Sequence, residues 1–98
     1  MATFITTMHF TEQGIKAVRD TCKREAAFKA AAEKLGVKVT GQYWTLGAFD
    51  GVTVWEAPNE ETAAAALLHL GSLGNIRTQT ARAFNPAEMQ QILGLLPK

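Results

Sequence analysis

Ninety-eight residues with ten Lys/Arg against nine Asp/Glu give a formal charge of +1; 47% of the side chains are hydrophobic and 19% charged. A chain this short has room for one modest core, hiding roughly 60–65% of the surface its unfolded form exposes, and its composition lies outside the polar, highly charged range of disordered proteins. So small a net charge supplies no long-range field for nucleic acid or an anionic membrane, and neither partner is expected.

The single cysteine, Cys22, has no intramolecular disulfide partner and is expected to be a small buried hydrophobe. The N-terminus lacks a positive segment followed by a continuous apolar run, and no window approaches the ~20 apolar residues of a membrane span. These features predict a cytoplasmic protein whose residues 1–98 form a single domain.

Residues 3–10 alternate, with Phe4, Thr6, Met8 and Phe10 on one face and Thr3, Ile5, Thr7 and His9 on the other, which predicts a first strand. Thr11 is placed to cap a helix in which Ile15, Val18, Cys22 and Ala26 form one stripe, drifting through Phe28, Ala32 and Leu35 to a stop at Gly36. Two β-rich runs, Val37–Leu46 and Val52–Ala57, flank Gly47-Ala48-Phe49-Asp50-Gly51 and predict a hairpin. Asn59 then caps a second helix, with Ala63, Ala66, Leu67, Leu70 and Leu73 as its buried stripe and Gly74 as its end. A last alternating run sets Ile76, Thr78, Thr80, Arg82 and Phe84 against Arg77, Gln79, Ala81 and Ala83. Asn85-Pro86-Ala87-Glu88 starts a short terminal helix whose Met89, Ile92, Leu93 and Leu96 make a face to dock.

The order βαββαβ predicts an α+β, ferredoxin-like sandwich. Right-handed crossovers place both long helices on one face of a four-stranded antiparallel sheet, with strand order 4-1-3-2 and the short C-terminal helix appended. The other face ought to be polar if it meets only water. Neither set of residues in the first strand is plainly polar, and the hairpin carries Tyr43, Trp44 and Trp55, so a second copy of the chain is the expected cover and a homo-oligomer the expected state.

Four separated motifs, Phe10-Thr11-Glu12-Gln13-Gly14-Ile15-Lys16, Tyr43-Trp44-Thr45-Leu46-Gly47-Ala48-Phe49-Asp50, Glu56-Ala57-Pro58 and Gly74-Asn75-Ile76-Arg77-Thr78-Gln79-Thr80 with Ala83-Phe84, together resemble the GYD-domain family over nearly the whole chain. Phe49 replaces the tyrosine usual in that family's eponymous turn, which removes any role for a phenolic hydroxyl there. The resemblance implies a ferredoxin-like fold of the dimeric α/β-barrel type, with two sheets packed face to face. It implies no reaction.

Several residues are able to carry chemistry. His9 is a candidate general base or metal ligand, the roles open to an imidazole, with a surface or interface role as the alternative. Arg77 and Arg82 fall on opposite faces of the last strand; each fork suits a carboxylate, phosphate or enolate oxygen, or else a salt bridge to Glu56 or Asp50. Thr78 and Thr80 share the Arg82 face and offer hydroxyls. Asp50 is a candidate base if desolvated beside Trp44 or Trp55, and otherwise a turn residue bonding backbone N–H groups. Glu25 faces the sheet if the first helix stays straight, and solvent if the helix bends near Arg24; solvent is expected. Tyr43, Trp44 and Trp55 line a pocket for an apolar or aromatic ligand, or fill core and interface. His69 lies outside its helix's apolar stripe. Two histidines and one cysteine in no ligand spacing build no closed zinc site, and neither a metal nor a cofactor is expected.

The leading reading is thus a homo-oligomeric domain binding a small molecule between sheet and helices. A cofactor-independent oxygenase or isomerase is the catalytic alternative, with His9, Arg82 and Asp50 as its candidates. A structural or regulatory interaction module is the third.

Overall fold

The N-terminal alternation forms β1 (Ala2–Phe10), a central strand, in a computed structural model describing residues 1–98. After it come α1 (Glu12–Lys16), a 3-10 turn (Val18–Asp20), α2 (Thr21–Lys34), β2 (Lys38–Trp44), β3 (Gly51–Ala57), α3 (Glu60–Ser72), β4 (Ile76–Ala83) and α4 (Pro86–Leu93). The antiparallel sheet runs β2-β3-β1-β4, which is the expected 4-1-3-2 order read from the other edge. The arrangement is ferredoxin-like.

Side-chain chemistry closes the helix starts at Thr11, Asn59 and Asn85 as expected. Thr11 Oγ1 accepts the Gly14 N–H at 3.0 Å, and Asn59 Oδ1 accepts the Thr62 N–H at 2.8 Å. Asn85 and Glu88 form a reciprocal capping box at the start of α4. Each such cap is worth about 1 kcal/mol. Gly36 and Gly74, with φ of 80° and 81°, take the left-handed conformation that ends α2 and α3.

Register decides which residues meet the helices. Phe4 lies between Trp55 and Arg82, Thr6 between Thr53 and Thr80, and Met8 between Gly51 and Thr78. Phe4, Thr6 and Met8 are buried, whereas Ile5 and His9 are exposed, so α2 and α3 cover the Phe4 face. The core gathers Phe4, Ala32, Val37, Trp55, Ala57, Ala63 and Ala66, where the end of α2 meets the start of α3. At the opposite end of the two helices the packing opens.

The first long helix departs from expectation. It breaks after Lys16, and the 3-10 turn advances each residue by about 120° instead of 100°, which resets the helical phase before α2 begins. The Ile15, Val18, Cys22, Ala26 stripe therefore does not pack: Ile15 is 51% exposed, and Cys22 is exposed where a buried hydrophobe was expected. Phe28 and Ala32, from the far part of the expected stripe, do face inward, joined by Arg24, Glu25 and Ala31, all buried or half-buried, while Leu35 is exposed. The first hairpin strand also stops sooner than its β-rich composition suggested, at Trp44 rather than Leu46, because Thr45 is captured by the turn. Its N–H donates to the Asp50 carbonyl at 3.0 Å and its hydroxyl to the Phe49 carbonyl at 2.6 Å, leaving Leu46 fully exposed.

The molecule measures 53 × 32 × 18 Å, with a radius of gyration of 15.0 Å against about 13 Å for a compact chain of this length. Helix α4 contributes to the excess. Met89 and Leu93 stay 45% exposed and Leu96 63%, so the face expected to dock has little of this chain beneath it.

Candidate functional site

Where α2 begins and α3 ends, the helices splay from the sheet and leave a cleft of about 240 Å³. Its floor is sheet: Thr6 and Met8 of β1, Gln42 and Trp44 of β2, Thr53 of β3, Ile76 and Thr78 of β4. Its walls are Arg24, Glu25, Ala27 and Phe28 of α2, then Leu70, Leu73 and Asn75. Strand alternation puts the floor residues on one face; the helix break turns Arg24 and Glu25 inward.

Hydrogen bonds tie down much of this lining. Trp55 Nε1 donates to Thr6 Oγ1 at 2.8 Å, and Thr6 Oγ1 lies 2.8 Å from Thr80 Oγ1, a connected polar thread across the helix-covered face of the sheet. Thr53 donates to Gln42 Oε1. Trp44 Nε1 donates to Thr21 Oγ1 at 3.1 Å, which pins that indole to the first turn of α2. Arg24 donates to the carbonyls of Ala17 at 2.8 Å and Gly14 at 3.3 Å, bracing the helix break. Glu25, in contrast, has neither a hydrogen bond nor an ion pair; the ion pairs of the chain are Lys16–Glu12 and Arg82–Glu88.

The candidate residues separate into distinct places. Glu25, Trp44 and Thr78 line the cleft. Trp55, only 4% exposed, lies in the core with its ring stacked on Phe4 at 4.8 Å, and Thr80 joins it through Thr6. Tyr43 and Arg77 are on the opposite face, Tyr43 beside Val52 and Arg77 beside His9. His9 Nε2 donates to the Ala48 carbonyl at 2.7 Å, and Asp50 Oδ2 accepts the Phe10 N–H at 2.9 Å, so both close the hairpin loop onto the end of β1. Sequence spacing alone missed Arg24, Gln42 and Thr53. The last two share Trp44's face by alternation, a signal that was present; Arg24 depends on the helix break, while Phe28 already lay on the drifting apolar stripe.

Arg82 sits at the far end of the sheet. Its guanidinium lies over Phe84 at 4.6 Å and Phe4 at 5.8 Å, donates to the carbonyls of Thr3 and Ala83, and reaches Glu88 at 3.4 Å rather than Glu56 or Asp50. The Glu88 carboxyl is held below its ordinary 4.5, first by the Asn85 N–H it accepts and then by Arg82, against an opposing effect of burial. A depressed native pKa stabilises above the unfolded value and loses that contribution as pH falls through the native one. Glu88→Gln, which keeps the cap but removes the charge, is therefore expected to be less stable than the parent at neutral pH. In urea titrations the gap closes as pH falls below 4.5.

Fold and cleft together define a ferredoxin-like α+β protein with one helix-covered face, one open face, and a pocket between helices and sheet. The family model for the GYD domain matches residues 4–93, and the chain belongs to the GYD-domain family. It is 36% identical over 90 residues, 91% of this chain and 95% of the other, to a protein of Thermus thermophilus described as glutamine synthetase and cystathionine beta-lyase binding protein. No helix is long and apolar enough to cross a membrane.

Proposed function

We propose that this chain is a self-associating cytoplasmic interaction module that binds other proteins and holds a small molecule in its cleft. The observation that carries the self-association is the open face of the sheet. Ile5, Val52, Val54, Ala81 and Ala83 make it apolar, Tyr43 is 62% exposed and Ile5 39%, and Arg77 and Gln79 lie beside them toward the β4 edge.

A second copy is the proposed occupant, and the area says what its interface must include beyond the sheet face. Four strands ~4.8 Å apart and about seven residues long give a footprint of roughly 450 Å². That is short of the ~800 Å² per partner of a standard interface. The unsupported face of α4, with Met89, Leu93 and Leu96, supplies further apolar surface.

The similarity to the Thermus protein supports the protein-binding part, and makes glutamine synthetase and cystathionine beta-lyase the first partners to test. Light scattering at micromolar concentration is expected to give twice the 10.6 kDa chain mass. Val54→Lys and, on a more exposed site, Tyr43→Glu are expected to give monomers with unchanged far-ultraviolet dichroism. A monomeric parent protein would overturn the self-association. Failure of the immobilised chain to retain either purified enzyme would overturn those partners.

A further inference from the structure

We infer that the cleft binds a zwitterionic α-amino acid with an apolar side chain. The inference rests on the cleft being a small-molecule pocket and adds the class of ligand.

Two opposite charges line this cleft without neutralising each other or being neutralised elsewhere. Glu25 is half-buried and accepts no hydrogen bond, and every fully buried side-chain polar atom in the protein has a partner. Its carboxylate is thus a water-wetted acceptor facing a mostly apolar space. Arg24, the adjacent residue, has its charge met only by the carbonyls of Ala17 and Gly14, which use two of its five N–H groups. A ligand with a single charge engages only one of these two groups and leaves the other to water and backbone carbonyls. An ammonium and a carboxylate on one carbon answer both, with Glu25 taking the first and Arg24 the second.

The remainder of the space selects the side chain. Met8, Phe28, Leu70, Leu73 and Ile76 line it, and 240 Å³ lies just below the range that holds drug-sized ligands. The thioether of Met8 and the ring of Phe28 suit a flexible aliphatic, thioether or aromatic side chain. The Thr6 and Thr53 hydroxyls and the Gln42 amide oxygen are engaged with neighbouring side chains, which leaves the Thr78 hydroxyl as the free one on the floor, so a charged or strongly polar side chain finds few partners.

The test uses the full chain and a matched set: L-phenylalanine, phenethylamine lacking the carboxylate, and 3-phenylpropionate lacking the ammonium. Chemical-shift changes at the Trp44 indole N–H report binding. L-Phenylalanine is expected to saturate the signal, and each truncated compound to bind at least about tenfold more weakly, because one charge-assisted hydrogen bond is lost. Glu25→Gln is expected to weaken L-phenylalanine by a similar factor while leaving 3-phenylpropionate unchanged. Truncating the ligand probes Arg24 without removing the side chain that braces the helix break. If all three compounds bind equally, the zwitterion assignment fails and the pocket stands. If none binds, and L-methionine and L-leucine also fail, the pocket falls with it.

Discussion

Replacing Gly14 by alanine lowers stability by about 2–4 kcal/mol, the reverse of the gain that glycine to alanine gives inside an unobstructed helix. Gly14 is buried in α1 against the turn between α3 and β4. A Cβ there would fall on the Asn75 carbonyl oxygen and within 2.8 Å of its carbon, and these are backbone atoms that no rotamer change can move aside. The same turn is bound to the start of α1 by Thr11 N–H to Asn75 O at 3.1 Å, Thr11 hydroxyl to Gly74 O at 2.6 Å, and Gln13 Nε2 to Leu73 O at 3.1 Å. Making room for the methyl group strains all three. In a domain of this size the loss corresponds to a drop of roughly 10–25 °C in Tm. Gly71→Ala is the control: it lies in α3 with nothing within 4 Å of the added carbon, and is expected to stabilise by about 0.5–1 kcal/mol. A Gly14→Ala protein as stable as its parent would mean that α1 and the turn separate freely, and that one wall of the cleft is not fixed.

Trp55→Ala is expected to cost about 3–5 kcal/mol, within the range for deleting a large buried aromatic. The indole stacks on Phe4 with ring planes 25° apart and anchors the Thr6 hydroxyl, so its loss opens a cavity and releases the Thr6–Thr80 thread together. Trp55→Phe keeps most of the stack and removes the N–H donor, and a loss of about 1–2 kcal/mol is expected. Urea unfolding midpoints measure both. Trp55→Ala with parent-like stability but no amino-acid binding would make Trp55 a pocket residue, against its place in the core.

The contrast between Trp44 and Trp55 illustrates what a sequence pattern resolves. Both belong to the hairpin and, by alternation and register, to the same face of the sheet. Trp55 sits over the closed end, where Ala32, Ala63 and Ala66 let the helices approach, while Trp44 sits under the splayed end and borders the cleft. Their sequence contexts are alike; the packing above them is not, since Trp55 is 4% exposed and Trp44 41%. Glu25 makes the same point. Its inward turn follows from a three-residue 3-10 segment whose bracing partner, Arg24, lies beyond it in the chain and donates back to Ala17 and Gly14. Solvent is the sequence-based expectation for Glu25 because a bend near Arg24 would turn it out; the break falls earlier, at Val18–Asp20, and the phase it resets turns Glu25 toward the sheet instead.

Residue order was enough to set the strands, the caps at Thr11, Asn59 and Asn85, the helix ends at Gly36 and Gly74, the strand order, and which side chains share a face. These are local or nearly local matters of alternation, turn chemistry and crossover handedness, which act over a few residues and leave a mark in composition. Packing in three dimensions was needed to settle that the first helix breaks, that Cys22 is exposed, that Arg82 pairs with Glu88, and that the helices part over Met8 and Thr53 to leave a cleft. Each of these depends on how far apart two packed layers stand and on contacts that close only once the chain is folded, and a periodic pattern of apolar residues encodes a direction without encoding that distance.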